Sequence, residues 1–222
     1  LQVRDANAMR MRRLALLLLM VLCTAACFAA PALPPSTTAS PAPAASSAPA
    51  AFALDDLDGK TVRLSDLEAD GPVVLFFYKT FCPVSKMAME KYGIFDRYYR
   101  AQFPHLHVVA VGHNPRPELK KFLADNHFDF YSVEDPPPFK VSRSLGVRAT
   151  PTLILFGQDG QRLAFVSSWD RDQTNALAQK LADLTHVAYR PVSTPDDGLP
   201  AHQAGCVVVD LDNSFAPLCP LQ

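Results

Sequence analysis

The chain has 222 residues, 49% of them apolar, enough to bury the core of one ordinary domain and leave residues over for linkers. A formal net charge of −1 supplies no long-range attraction to nucleic acid or to an anionic membrane surface, so neither is expected as a partner. The five cysteines (Cys23, Cys27, Cys82, Cys206 and Cys219) include no C-x-x-C pair, and no His–Cys group has zinc-finger spacing, which argues against a structural metal.

Residues 1–30 read as upstream residues followed by an export signal. Arg10, Arg12 and Arg13 precede the apolar run 14–22, and small residues follow. The run falls short of the roughly 20 residues that a bilayer span needs. Two processing routes fit. The tetrapeptide T-A-A-C, ending at Cys27, resembles a lipoprotein cleavage site, although Thr24 stands where leucine is usual; ordinary cleavage would fall after Ala29 or Ala30. Either route predicts an exported protein, periplasmic or anchored by a lipid on Cys27 at the outer side of the inner membrane or on the outer membrane. Disulfides persist there. Residues 31–50 are almost entirely Pro, Ala, Ser and Thr, a linker that cannot bury a core.

A folded domain is expected over 51–185. The Asp58-Gly59 turn suggests a hairpin between 52–54 and 61–64, and 65–67 opens a short helix. The run 73–78 (V-V-L-F-F-Y) is apolar without alternation, as in a strand covered on both faces. Pro83 suits the first turn of a helix running toward Gln102, with Met87, Ile94, Phe95 and Tyr98 facing inward. Strands follow at 107–111, 130–133, 153–156 and 163–167, and helices at 117–127 and 139–145. The helix 117–127 turns Leu119, Phe122, Leu123 and Asn126 to one side. Asp170 with Gln173 starts a last helix, whose inward positions are Thr174, Leu177, Ala178, Leu181 and Leu184. This order predicts an α/β fold with helices on both faces of a mixed sheet. Residues 186–222 form a C-terminal extension with a candidate strand at 207–211.

The segment F-F-Y-K-T-F-C-P-V-S around Cys82 resembles the active-site strand, turn and helix of thioredoxin-like proteins. The likeness is to the redoxin and TlpA-like extracytoplasmic group, related to alkyl hydroperoxide reductase and thiol-specific antioxidant. A second motif, G-V-R-A-T-P-T at 146–152, is similar to the family's Thr-Pro segment. The resemblance covers about 52–184 and implies a three-layer thioredoxin-like fold with an N-terminal hairpin. It further implies a cis-proline at Pro151 packed against Cys82, and a Thr150 backbone that offers a strand edge to an incoming polypeptide. No cofactor or metal is implied. The chain departs from the family at Ser85, where the second cysteine usually stands, and at Phe81, where tryptophan is common.

At the N-cap of a helix, a cysteine meets unpaired N–H groups and the positive end of the dipole, both of which favour thiolate. Cys82 is therefore expected to be a reactive, partly exposed nucleophile, with Ser85 hydrogen-bonding its sulfur and Phe81 and Pro83 flanking it. The bland alternative is a small buried hydrophobe. Arg148 could support a charged sulfur from the opposite loop, although a solvated arginine is the simpler reading. Tyr78, Thr80 and the histidines at 105, 107, 113 and 127 read as packing, surface or structural groups, and Trp169 as core. Cys206 and Cys219 are expected to pair with each other, closing a twelve-residue loop; the alternative is that one resolves a bond to Cys82.

Three functions compete. Thiol-disulfide exchange through Cys82 ranks first, with thiol or disulfide proteins as substrates and an external thiol as reductant. A module that binds clients or traps them as mixed disulfides ranks second, because Ser85 supplies no releasing thiol. A peroxidase with Cys82 as peroxidatic cysteine ranks third. Peroxiredoxins resemble one another in a Thr or Ser three residues before that cysteine and a Pro seven before it, and here Lys79 and Leu75 stand there.

Overall fold

The computed structural model describes residues 52–208. The expected signal, the linker, Cys27, Cys219 and the end of the candidate strand at 207–211 lie outside these residues. No helix among the described residues is long and apolar enough to cross a membrane.

A seven-stranded mixed sheet is built on β3 (Val73–Tyr78). On one side β3 runs parallel to β4 (His107–Gly112), which runs parallel to β5 (Tyr131–Glu134). The hairpin of β1 (Ala53–Asp56) and β2 (Thr61–Arg63) adds antiparallel to β5. On the other side β3 pairs antiparallel with β7 (Thr152–Phe156), and β7 with β8 (Arg162–Ser167).

The unbroken apolar run of β3 is explained by two cores. Side chains alternate across a strand. Val74, Phe76 and Tyr78 enter one cluster with residues of α2 (Pro83–Gln102), α3 (Arg116–Asp125) and α5 (Arg171–Thr185). Val73, Leu75 and Phe77 enter another with Leu64 of α1 (Leu64–Asp70) and with Val141 of α4 (Lys140–Ser144). The central strand is thus shielded on both sides, as expected of a thioredoxin-like fold.

The helical faces need correction. On α2 the buried positions are Val84, Ser85, Ala88, Met89, Tyr92, Gly93, Phe95, Asp96 and Tyr99. Ile94 is exposed, and Met87 and Tyr98 are only half-buried. The true stripe includes polar side chains, which a search for apolar residues passes over. On α3 only Leu119 and Leu123 of the expected four are buried, and on α5 Leu184 is exposed while Thr185 is buried. Asp170 caps α5 as expected, accepting the Gln173 N–H at 2.9 Å.

Beyond α5 the chain turns back along the domain. Asn175 holds it in three hydrogen bonds, accepting from the N–H groups of Val192 and Ser193 and donating to the Ser193 carbonyl. The Trp169 indole N–H donates to the Pro200 carbonyl at 2.7 Å. Two short ladders follow. β10 (His202–Gln203) pairs with β9 (Trp169–Asp170), and β11 (Cys206–Val207) pairs with β6 (Ala149–Thr150). The extension therefore contributes its strand at 206–207, one residue earlier than its expected start.

Candidate active site at the head of α2

Cys82 occupies the N-cap of α2, with extended backbone and Pro83 as the first helical residue. Its carbonyl accepts the Lys86 N–H and its own N–H donates to the Lys79 carbonyl, which fixes the turn out of β3. The sulfur is not exposed to solvent. Cys82 has 0% relative exposure and its thiol donates to the Thr150 carbonyl at 3.3 Å. The expectation of a partly exposed thiol is corrected: the sulfur is buried in an apolar cluster that also takes in Cys206 of the distant β11.

Ser85 is also fully buried, and its hydroxyl has no hydrogen-bond partner. The expected bond from Ser85 to the Cys82 sulfur is not made. Phe81 is half-exposed on the rim, with the Lys79 ammonium 5.6 Å from its ring centre. Pro83 is exposed beside it.

The second motif lies across from Cys82, as the resemblance implies. The Thr150–Pro151 peptide bond is cis, and both residues are buried. Arg148 is exposed, and its carbonyl accepts the Val208 N–H at 2.8 Å. The edge of Thr150 is not open. Cys206 stands opposite it in the β6–β11 ladder, and the Thr150 hydroxyl donates to the Cys206 carbonyl at 3.4 Å. Cys206 is buried in the same apolar cluster as Cys82 and is disulfide-bonded, whereas Cys82 is free. Its bonded partner is therefore a cysteine outside the described residues.

Lys79, which in the sequence marks only a departure from the peroxiredoxin pattern, proves to be part of the site. Lys79 is 6% exposed and donates from Nζ to the Val207 carbonyl at 2.8 Å, bridging the end of β3 to the tail strand. Burial lowers its pKa, and the charge of Cys82 acts in the opposite sense. Next to it lies a buried polar chain. His113 Nε2 is 2.7 Å from the Ser142 hydroxyl, which donates to Asp135 at 2.7 Å. Burial, helped by the Lys79 charge, pushes the His113 pKa down to about 3, so the imidazole is neutral near pH 7. Asp135 also accepts the Ser142 N–H, a role that positions α4. Tyr78, read as packing, is buried with its hydroxyl 3.1 Å from Ser132. Among the described residues no group of His, Cys, Asp and Glu is arranged to hold a metal.

Residues 45–166, more than half of the chain, match the AhpC/TSA family. The thiol-disulfide oxidoreductase ResA of Halalkalibacterium halodurans is 31% identical over 111 residues, which are 50% of this chain and 61% of that protein. A thioredoxin-like protein of Haemophilus influenzae is 24% identical over 47% of this chain and 60% of its own length. The chain thus spans about 60% of the length of these curated relatives. Among solved structures, one assigned as the thiol:disulfide interchange protein DsbE of Chlorobium tepidum is 28% identical with a TM-score of 0.53, over 60% of this chain and 93% of that one. The peroxidoxin BcpB of Mycobacterium tuberculosis is 25% identical with a TM-score of 0.51, over 62% and 94%.

Proposed function

Because the chain belongs to the AhpC/TSA family, we propose that it is an exported thiol-disulfide oxidoreductase whose nucleophile is Cys82. The observation that carries this reading is the free thiol at the N-cap of α2, buried and hydrogen-bonded to the Thr150 carbonyl beside the cis-proline. Exchange proceeds when a thiolate attacks one sulfur of a disulfide and the other sulfur leaves. The positive end of α2 and the nearby Lys79 charge both stabilise the negative charge that passes through this position. A client backbone would dock on Thr150 and Pro151 by displacing β11 from that edge, with Phe81 and Pro83 as the exposed rim and Arg148 at its border. Ser85 replaces the family's second thiol. A mixed disulfide at Cys82 must then be released by a thiol from elsewhere, either an external reductant or a tail cysteine.

Export, with or without a lipid on Cys27, suits this chemistry, because protein disulfides are abundant outside the cytosol. The relatives support the exchange reading: ResA and DsbE are named for thiol-disulfide chemistry. The likeness to a peroxidoxin keeps peroxide in the test, although Lys79 and Leu75 fill the positions where peroxiredoxins carry Thr or Ser and Pro.

The test is turnover of an insulin-type disulfide by the full chain with a thiol reductant, alongside Cys82→Ser. Turnover that vanishes in the variant is the expected result. Equal rates in both proteins would remove Cys82 from the chemistry. Cys82-dependent client adducts without turnover would replace catalysis by client trapping, and consumption of hydrogen peroxide without disulfide turnover would favour the peroxidase.

A further inference from the structure

We propose that the tail strand β11 is a client the protein carries docked on its own site, and that the Cys206 disulfide is the internal exchange partner of Cys82. This rests on the reading of Cys82 as an exchange nucleophile and adds the identity of its first substrate.

The strand is held as a peptide would be, mostly through its backbone. Val208 N–H donates to the Arg148 carbonyl at 2.8 Å, and Gly205 N–H to the Ser168 hydroxyl at 3.0 Å. The Cys206 and Val207 carbonyls accept from Thr150 and Lys79. Alternation then decides which side chain points in. Val207 is 53% exposed, whereas Cys206 is 3% exposed and enters the cluster that holds Cys82. Thr150 ties the two together, facing Cys206 across the ladder while its carbonyl accepts the Cys82 thiol. Opposed residues in an antiparallel ladder lie about 4.5–5.5 Å apart at Cα. The residue next to Cys82 is thus paired with a cysteine that is already in a disulfide.

The exchange balances without an added oxidant. Cys82 loses its proton and its sulfur electron pair attacks Cys206 Sγ. The bond between Cys206 and its present partner breaks, and that partner leaves as a thiolate that takes up the proton. A Cys82–Cys206 disulfide forms and one thiol is released, so Cys82 is oxidised and the former partner reduced. The spacing of the sequence nominates Cys219 as that partner. The released thiol is then the group that an external reductant or oxidant acts on. The enclosure of Cys82 is explained too: with β11 in place, the sulfur within reach belongs to the chain itself.

The experiment uses the full, oxidised chain in glutathione buffers of graded ratio, quenched in acid, alkylated and mapped by peptide mass spectrometry. A Cys82–Cys206 cross-linked peptide at intermediate ratios is expected, with complete loss of that peptide in Cys82→Ser. In Cys219→Ser, oxidation with glutathione disulfide is expected to give the same bond. The proposal is overturned if no Cys82–Cys206 species forms at any ratio and Cys219→Ser ends with separate glutathione adducts on Cys82 and Cys206. The combined Cys206→Ser, Cys219→Ser protein separates this failure from failure of the wider reading. Cys82-dependent insulin turnover there, with no cross-link in the parent, overturns internal exchange alone. A cross-link in the parent with no external turnover in either protein supports internal exchange and overturns the external oxidoreductase.

Discussion

Ser85 and His113 show how two buried polar side chains beyond the end of β3 carry different consequences. The Ser85 hydroxyl is enclosed and unpaired, and an unsatisfied buried hydroxyl costs about 1–3 kcal/mol. Ser85→Ala removes that cost with little change in volume. It is expected to stabilise the fold by about 1 kcal/mol and to raise Tm by roughly 2–4 °C. A drop in Tm on thermal unfolding would mean that the hydroxyl does find a partner. His113 is paired through Nε2, but its pKa is held at about 3 by burial and by the Lys79 charge, against 6.5 ordinarily. Between these values the unfolded chain binds the proton and the folded chain does not. The His113 contribution is thus complete above pH 6.5 and is lost as pH falls toward 3, by up to about 1.4 kcal/mol per pH unit. Glu68 and Asp96, whose pKa values burial raises, act in the opposite direction. The comparison with His113→Gln cancels them, because both proteins contain them. Urea unfolding at pH 7 and pH 5 should show a shallower acid loss in the variant, whose amide can still donate toward Ser142. Equal slopes would mean that His113 takes up its proton in the folded state.

At the scale of elements, what the sequence revealed depended on how far each element's cause lies from it in the chain. β3 was legible to the residue, because the run 73–78 is its own explanation: six side chains alternate between two cores. The head of α2 was legible from Pro83. Its buried face was not, because Tyr92 and Asp96 are buried while Ile94 is not. The tail was the least legible part. β10 and β11 have two residues each, too few to show a period, and the tail is held by Lys79, by the adjacent Ser168 and Trp169, and by Asn175, three separate segments. Hence the burial of Cys82 in one cluster with a residue more than 120 positions later could not be read locally. The tail contact has a tight point at Gly205, where an added Cβ would strike the Thr150 carbonyl. Gly205→Val is expected to weaken the β6–β11 ladder while leaving the two cores intact. Loss of one net hydrogen bond, about 1 kcal/mol, raises the population of the lifted strand roughly fivefold. Alkylation of Cys82 by iodoacetamide in the folded protein should accelerate by about that factor. An unchanged rate would show that reagent reaches the sulfur by a path that does not involve β11.

For the whole molecule, the tail couples redox state to stability. The domain up to α5 has two apolar clusters of its own, and one of them is completed by Val192 and Cys206 from the returning segment. The disulfide at Cys206 therefore fixes a part of the chain that covers both the core and the candidate site. If the partner is Cys219, twelve residues lie between, and closing such a loop is worth roughly 3 kcal/mol in the chain-entropy model. Cys82 is free, so among the described residues Cys206 alone loses a covalent bond on reduction. At roughly 2–4 °C per kcal/mol for a chain of this size, a phosphine reductant should lower Tm by roughly 6–12 °C. Cys82→Ser should show the same loss, since it leaves that bond in place. The compartment enters through the same bond, because the cytosol would keep Cys206 reduced, whereas an exported chain retains the bond and the docked strand. A Tm that moves by less than about 2 °C on reduction would assign the hold on the tail to Asn175, Trp169 and Lys79. Reduction would then alter the chemistry at Cys82 without loosening the fold around it.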